Sequence, residues 1–230
     1  MFVSVQQETA ELLNETISEE KTLSIYQLIM DGGIGGQIII ALLLVLLAVA
    51  LYIYFERFFA IKAASKTDRN FMNQIRDHVS QGKLDAAKFL CIQTNSPASR
   101  LIEKGITRIG KPLEDINTAI ENAGRLEIYK LEKNVSVVAT IAGAAPMIGF
   151  LGTVIGMIVA IHEIANAGGQ IDIKMLSDGL YTAMTTTVAG LIVGIISYIA
   201  YNHLVVRTNK VVYEMEAKSV EFLDLLNEPV

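Results

Sequence analysis

Three long runs of apolar and small residues divide the chain. Residues 32–55, 134–162 and 179–206 contain no Asp, Glu, Lys or Arg. A helix needs about 20 predominantly apolar residues to cross the hydrocarbon core of a bilayer, and each run is longer than that. The pattern therefore predicts an all-α membrane protein with three transmembrane helices. Core helices of a soluble protein are the alternative, which three uncharged runs of this length make unfavourable.

The segment between the first two runs has the spacing of amphipathic helices. Phe71, Ile75 and Val79 recur every four residues, which places them on one helix face, and the pair Gln81-Gly82 interrupts the pattern. Ser96 followed by Pro97 is typical of a helix start, because serine is a good N-cap and proline fits the first helical position. We therefore expect this segment to be helical, with breaks near these positions.

Long helices are predicted to extend from the second and third runs into the flanking segments, before the second run and after the third. Pro112 begins a helical pattern with no breaker before the second run. One helix is therefore expected to pass from there into the membrane, interrupted if anywhere at Pro146, which lacks a backbone donor. The third run has no stop signal after Arg207, so its helix is expected to continue toward the C-terminus. Between Thr22 and Met30, apolar residues indicate a short interfacial helix.

The distribution of Lys and Arg predicts which segments face the cytoplasm. The formal net charge is −5, but residues 56–133 hold fourteen Lys and Arg, whereas residues 1–31 and 163–178 hold one each. Positive residues collect on the cytoplasmic side of membrane proteins. Residues 56–133 and the C-terminal tail are therefore expected in the cytoplasm, and the N-terminus and the 163–178 connector on the outer side. The acidic balance also argues against a nucleic-acid partner.

Small residues form one stripe on each of the second and third spans. They recur at spacings of three or four, as in the small-xxx-small motif that lets membrane helices approach closely. The positions that we assign to helix packing are Pro146, Gly149, Gly152, Gly156, Gly190 and Gly194. The same spacing includes Thr153 in the second span and Thr187 in the third. Plain helix packing accounts for the glycines.

Hydroxyl side chains are concentrated in the same two spans. Thr182, Thr185, Thr186 and Thr187 lie close together at the start of the third span, and Thr153 lies in the middle of the second. A single threonine satisfies its own hydroxyl by donating to a carbonyl of the preceding turn. Four in six positions place hydroxyls on more than one side of a helix, so at least one side faces a polar cavity or another helix. Such a surface suits a narrow path for ions or protons, or a seat for a charged group of another protein.

Sequence signatures of enzymes are missing. The chain has no G-x-x-x-x-G-K-[ST] phosphate loop, no H-E-x-x-H pair and no C-x-x-C pair. Cys91 is the one cysteine and cannot form a disulfide within the chain. We therefore expect no enzyme activity, no catalytic residue, no metal site and no cofactor.

At the second and third spans the chain resembles a known family of membrane proteins. Residues 138–157 read VATIAGAAPMIGFLGTVIGM and are similar to the IA-x-x-AP-x-x-GLLGTV-x-GM signature of the ExbB/TolQ/MotA family. Residues 178–191 read DGLYTAMTTTVAGL and resemble the GI-x-x-AL-x-x-T-x-x-GL pattern of that family's third span. The resemblance covers about residues 37–210, and its most specific part is the block from Gly149 to Met157.

The resemblance implies a multi-pass protein of the bacterial inner membrane, with a periplasmic N-terminus and a cytoplasmic C-terminus. In this family five copies form a ring around the membrane helices of a two-copy partner of the ExbD/TolR type. Proton flow through the interface drives motion that is passed to an elongated, periplasm-spanning protein. The implied partners are further copies of the chain, expected as a homopentamer, an ExbD-like single-span protein, a TonB-like protein and the lipid bilayer.

The combined prediction divides the chain into seven segments. Residues 1–36 form a periplasmic N-terminal segment with a short amphipathic helix, 37–56 the first transmembrane helix, 57–133 a cytoplasmic helical region, 134–162 the second transmembrane helix, 163–178 a periplasmic connector, 179–206 the third transmembrane helix and 207–230 a cytoplasmic C-terminal helix.

The resemblance also assigns roles to threonines. Thr153 and Thr187 match the functional pore-lining threonines of the family, and Thr182 and Thr186 are further pore-lining candidates. Many ExbB proteins carry a glutamate at the position of Thr182. Because this chain has threonine there, its second and third spans contain no Asp, Glu, Lys or Arg. The titrating carboxylate is then expected to come from the partner, with Thr182 as a polar relay. The transported ion, proton or sodium, stays open.

Several functions are compatible with this resemblance. MotA-type proteins usually have four spans, so three spans argue against a flagellar role. The long segment before the first span favours an ExbB-type protein, which energises outer-membrane uptake through TonB, over a TolQ-type protein, which maintains the envelope during division. A passive membrane scaffold is the competing interpretation from another class. A small secondary transporter is disfavoured, because the spans show no charge and no inverted repeat.

Overall fold

The computed structural model describes residues 34–65, 70–166 and 173–227. In these ranges the chain forms helices and no strand. The helices are α1 (Ile34–Ala64), α2 (Phe71–Ser80), α3 (Leu84–Thr94), α4 (Pro97–Ile106), α5 (Leu113–Glu132), α6 (Val135–Asn166) and α7 (Ile173–Asn227). Three of them, α1, α6 and α7, are long and apolar enough to cross a membrane. The prediction of an all-α membrane protein with three membrane-spanning helices is confirmed.

The membrane-spanning helices are longer than the predicted spans. α1 continues to Ala64, and α7 continues past Arg207 to Asn227, as the lack of a stop signal predicts. α6 ends at Asn166 and α7 begins at Ile173, so helix occupies part of the predicted 163–178 connector. The predicted interfacial helix between residues 22 and 30 lies outside the described residues.

The expected continuous helix from α5 into the second span is interrupted, which corrects the prediction. α5 ends at Glu132 and α6 begins at Val135, and between them Asn134 has a φ of 61°. Asparagine adopts this left-handed conformation more readily than other side-chain-bearing residues. The break therefore lies at Asn134 and not at Pro146, which is inside an unbroken α6.

The described residues fall into two compact units. The smaller unit contains residues 34–41, 150–166 and 173–188, which are parts of α1, α6 and α7. The larger unit contains the other parts of these three helices together with α2, α3, α4 and α5.

The core of the larger unit surrounds α4. Helices α3 and α5 both pack on α4, and buried apolar side chains include Phe71 of α2, Ile102 of α4 and Phe222 of α7. Gly105 lets α7 approach, because a Cβ atom there would lie 2.5 Å from the Phe222 ring and 2.9 Å from the Ile120 side chain. Any larger residue at position 105 would require the Phe222 ring or the Ile120 side chain to shift.

The helix break predicted at Gln81-Gly82 and the helix start predicted at Ser96-Pro97 are both present. The Ser96 hydroxyl oxygen accepts a hydrogen bond from the Ser99 N–H at 3.1 Å, and the Ser96 N–H donates to the Ser99 hydroxyl oxygen at 2.9 Å. This reciprocal cap, followed by Pro97, starts α4. Between α2 and α3, Gly82 has a φ of 70°, which glycine adopts without steric cost. The predicted break at Gln81-Gly82 is confirmed.

A buried carboxylate joins α4 to α5. Glu127 is 5% exposed, and its two oxygens accept hydrogen bonds from Arg100 at 2.6 Å and from Lys130 at 2.7 Å. Burial by itself raises the pKa of the Glu127 carboxyl, but the hydrogen bonds and positive charges of Arg100 and Lys130 together outweigh it and lower the pKa below its ordinary value. The ionised carboxylate therefore holds the two helices together.

Side chains near the end of the apolar part of α1 anchor this helix within the larger unit. The Tyr54 hydroxyl and His203 Nδ1 of α7 are 2.8 Å apart and share a hydrogen bond. Arg57 is buried and donates to the Lys130 carbonyl oxygen of α5 at 3.2 Å. α1 is thereby attached to both α5 and α7.

Candidate functional site

The backbones of α6 and α7 touch where both helices carry small residues. In the larger unit, a Cβ atom on Gly190 would lie 2.6 Å from the carbonyl oxygen of Ala145 and 2.8 Å from Gly149 Cα. One on Gly194 would lie 2.6 Å from Pro146 Cγ. A side chain at either position would have to displace backbone or a proline ring. In lipid, this close packing is what holds membrane helices together, because no hydrophobic force acts between them.

The smaller unit contains the same kind of contact. A Cβ atom on Gly156 would lie 3.2 Å from the Gly179 carbonyl oxygen, and one on Gly152 would lie 2.6 Å from Thr186 Cβ. Residue numbers rise along α7 as they fall along α6, so the two helices are antiparallel in this unit.

Thr186 fills the space that Gly152 leaves. It is fully buried, and its hydroxyl donates to the Ala183 carbonyl oxygen at 2.9 Å. Its methyl group also approaches α1, where a Cβ atom on Gly36 would lie 3.9 Å away. This candidate pore residue thus lies among three helices of a single chain.

α1 covers one face of the α6–α7 pair in the smaller unit. A Cβ atom on Gly36 would lie 2.6 Å from the Thr182 methyl carbon, and one on Gly35 would lie 4.0 Å from the Ile155 side chain. Thr182 is half-buried, with its methyl group toward α1. Thr182 and Ile155 therefore mark the face that α1 covers.

Thr153 and Thr187 lie on the opposite face of the same helix pair. Each follows a contact residue, Gly152 or Thr186, by one position, which is a rotation of about 100° around the helix. Because the helices are antiparallel, these rotations carry both threonines to one face, away from α1. We call Thr153 and Thr187 the hydroxyl face.

The hydroxyl face is polar and has no ionisable group. Thr153 and Thr187 are half-buried, and the Thr153 hydroxyl donates to the Phe150 carbonyl oxygen at 2.6 Å. A hydroxyl that donates to its own helix keeps its oxygen lone pairs for another donor. Neither 134–162 nor 179–206 contains Asp, Glu, Lys or Arg. The face can therefore accept a hydrogen bond from a protonated carboxyl group, but it cannot itself hold a proton at neutral pH.

Cys91 lies outside this face and is buried. Burial of Cys91, together with a smaller effect of the negative charge of Glu103, raises the pKa of the thiol to about 12, so the thiolate is scarce at neutral pH. Among the described residues, no group of three or more His, Cys, Asp or Glu side chains could hold a metal ion.

Two features of this arrangement were not predicted from the sequence. Gly152 was assigned to helix packing and does lie at the contact, but its partner on α7 is Thr186, which was expected to line the pore. The Gly152-x-x-x-Gly156 spacing is the signal that identifies the true contact on α6. The second feature is the carboxylate of Glu127, which is buried together with the apolar residues on the inner face of α5.

These observations define a multi-pass helical membrane protein whose second and third spans pack through small residues and present hydroxyls without charge. The MotA/TolQ/ExbB proton channel family model matches residues 93–217. The chain belongs to this family. The resemblance inferred from residues 138–157 and 178–191 is thereby confirmed.

The relatives include proteins of two systems. The Tol-Pal system protein TolQ of Haemophilus influenzae is 26% identical over 226 residues, covering 89% of this chain and 94% of that protein. The biopolymer transport protein ExbB of Aquifex aeolicus is 36% identical over 103 residues, covering 44% of this chain and 69% of that protein. The biopolymer transport protein ExbB of Helicobacter pylori is 40% identical over 74 residues, covering 32% of this chain and 50% of that protein. The chain is thus similar to both ExbB and TolQ proteins.

Proposed function

We propose that this chain is the ring-forming subunit of a proton-driven motor in the bacterial inner membrane. With an ExbD-like partner, the ring converts the proton motive force into mechanical work on a TonB-like protein, which drives nutrient import across the outer membrane. One observation carries the proposal: Thr153 and Thr187 lie together on the face of the α6–α7 pair that α1 leaves uncovered.

In this mechanism the ring supplies hydroxyls and the partner supplies the titrating group. A carboxyl group on the single span of the ExbD-like protein takes up a proton, and the hydroxyl face solvates it while the proton is exchanged. Each elementary charge that crosses the membrane releases about 2.3 kcal/mol per 100 mV. Several protons per step are therefore enough for mechanical work.

The four candidate threonines divide into two roles under this proposal. Thr153 and Thr187 line the path. Thr186 and Thr182 are positioning residues, because Thr186 sets the spacing of α6 and α7 at Gly152 and Thr182 packs its methyl group against Gly36. The polar-relay role expected for Thr182 is not part of the proposal.

The proposed assembly is a homopentamer with a periplasmic N-terminus and a cytoplasmic C-terminus. The excess of Lys and Arg in residues 56–133 supports this orientation. Exposed apolar side chains on the membrane-spanning helices, such as Ile38, Phe150 and Ile199, support contacts with lipid or with neighbouring copies.

The experiment compares Thr187→Val with Thr185→Val. Both changes replace a hydroxyl by a methyl group on the same helix, but helix geometry places Thr185 away from the hydroxyl face. The Thr185 hydroxyl donates to the Tyr181 carbonyl oxygen at 2.8 Å. The ring is reconstituted in liposomes with its ExbD-like partner, and proton flux is measured under an imposed membrane potential. We expect Thr187→Val to remove most of the flux and Thr185→Val to retain it.

Native mass spectrometry of the same preparations tests whether both variants still form the ring with its partner. Equal flux in an intact Thr187→Val ring would refute the assignment of the hydroxyl face. If the wild-type ring conducts no protons at all, the passive scaffold becomes the better account.

A TolQ-type role is the second candidate, favoured by the match that covers 89% of this chain and 94% of the Haemophilus influenzae TolQ protein. Complementation separates the two roles. Rescue of iron-chelate uptake in a strain lacking its ExbB protein supports the TonB role, whereas rescue of detergent resistance in a strain lacking TolQ supports the envelope role.

A further inference from the structure

A cavity of about 590 Å³ lies where the turn between α5 and α6 meets α7 in the larger unit. Its walls come from Tyr129, from residues 132–137 and, on α7, from Tyr201, Val205, Thr208 and Asn209. This volume is typical of sites that hold small organic ligands.

The walls of the cavity change from apolar to polar where the charge-free runs end. Val135, Tyr201 and Val205 belong to the charge-free runs 134–162 and 179–206 and form the apolar wall. Glu132 and Lys133 lie immediately outside these runs and form part of the polar wall. An occupant must therefore be amphiphilic, with one end in hydrocarbon and the other in the head-group layer.

Several hydrogen-bond donors line the polar wall. Thr208 is 3% exposed, and its hydroxyl has no hydrogen-bond partner in the part of the chain that the structure describes. The N–H groups that open α6, at Val135 and Ser136, have no acceptor within the helix, and a helix start attracts anions. Lys133 adds a positive charge beside them. Such a set of donors suits a phosphate group.

The cavity also carries a negative charge. Glu132 precedes Lys133, and neither side chain forms an ion pair within the described ranges. A lining with one cation and one anion matches a head group that has a phosphate and an ammonium group, and is a poor match for a purely anionic lipid.

We propose that this cavity binds a phospholipid of the phosphatidylethanolamine type. The phosphate is held by Lys133, the Thr208 hydroxyl and the start of α6, and the primary ammonium group is held by Glu132. An acyl chain lies along Val205 and Tyr201. The site is independent of proton conduction, so its failure would leave the proposed function unchanged.

The test measures the phospholipids that remain bound to the intact ring. Wild type and the variants Lys133→Gln, Glu132→Gln and Thr208→Val are purified in mild detergent, supplied with equal amounts of phosphatidylethanolamine and phosphatidylglycerol, and examined by native mass spectrometry. Lys210→Gln is the matched control, because Lys210 is an exposed cation next to Asn209 that does not line the cavity. Ring mass and thermal unfolding verify that each variant is folded.

We expect Lys133→Gln and Thr208→Val to lower the occupancy of both lipids, and Glu132→Gln to lower the ratio of phosphatidylethanolamine to phosphatidylglycerol by about threefold, as expected for loss of one exposed ion pair. Equal lipid retention in all variants would overturn the proposal. So would a ring that retains no lipid because a neighbouring copy fills the cavity.

A competition experiment separates a lipid site from a simple phosphate site. Glycerophosphoethanolamine, which has the head group without acyl chains, should displace the lipid only weakly, because the apolar wall also contributes to binding. Displacement of the lipid by inorganic phosphate at equal concentration would show that the cavity binds only an anion, and would refute the lipid assignment.

Discussion

Thr186 and Gly152 share one contact between α7 and α6. A Cβ atom on Gly152 would lie 2.6 Å from Thr186 Cβ, which is well inside the van der Waals contact distance of two carbon atoms on separate helices. One of the two positions must therefore lack a side chain, and in this chain it is position 152.

Exchange of the two residues tests this relationship. Gly152→Ala should destabilise the folded protein by about 1–3 kcal/mol, because the added methyl group overpacks the contact. The double variant Gly152→Ala/Thr186→Gly should recover part of this loss, since the new methyl group then meets an empty position. Thermal unfolding of the purified ring in detergent measures both effects. A double variant that is less stable than the sum of the single changes would contradict the proposed contact.

Substitution of Gly190 should also be unfavourable. Gly190→Ala places a methyl group 2.6 Å from the Ala145 carbonyl oxygen, so α6 and α7 must separate and ring formation should decrease. Gly143→Ala on α6 is the control, because a Cβ atom there meets nothing within 4 Å. That control should be neutral or slightly stabilising, since alanine is a better helix former. Native mass spectrometry of ring formation distinguishes the two outcomes.

Removal of the Glu127 carboxylate should loosen α4 from α5. Glu127→Gln leaves Arg100 and Lys130 without their anionic partner, and we expect a loss of about 2 kcal/mol in the free energy of unfolding. Glu121→Gln on the same helix changes an exposed residue and should cost much less. Chemical denaturation of the two variants checks the difference.

The same carboxylate predicts a pH dependence. Its pKa is lower in the folded protein than in the unfolded chain, so the unfolded chain binds the proton more tightly. The stability that Glu127 contributes is therefore fully present above the ordinary carboxyl pKa of about 4.3 and is lost as pH falls through the lower folded value. Wild type should lose stability on acidification more steeply than Glu127→Gln.

Cys91 should serve as a reporter of unfolding. Its pKa of about 12 and its burial predict slow reaction with thiol reagents at pH 8, and rapid reaction once the larger unit unfolds. Because the chain has one cysteine, labelling reports on this site alone. Rapid labelling of the folded ring would show that the core around α3 opens locally.

Sequence patterns were sufficient for much of the fold. The charge-free runs identified all three membrane-spanning helices, and Ser96-Pro97 identified the start of α4, because these signals act locally through solvation and capping. The break at Asn134 was missed, since a single left-handed residue carries little signal in the sequence.

The position of the site was harder to predict than the helices that form it. Thr186 and Thr187 are chemically identical, and a rotation of about 100° decides which one enters the contact with α6. Only the close approach at Gly152 resolves this choice. Glu127 was missed for a different reason: its place on the stripe of Ile120, Gly124 and Leu131 marks it as buried, but partners that satisfy it come from α4 as well as from its own helix.

Within the larger unit, α7 connects two tight contacts through one unbroken helix. It runs without a break from Gly190, which is pressed on the backbone of α6, to Phe222, which is inserted beside Gly105 and Ile120. Each turn is joined to the next by backbone hydrogen bonds, so one continuous helix connects the two contacts. A rotation of α7 about its axis at Gly190 would therefore move the Phe222 ring against the α4 and α5 side chains that enclose it.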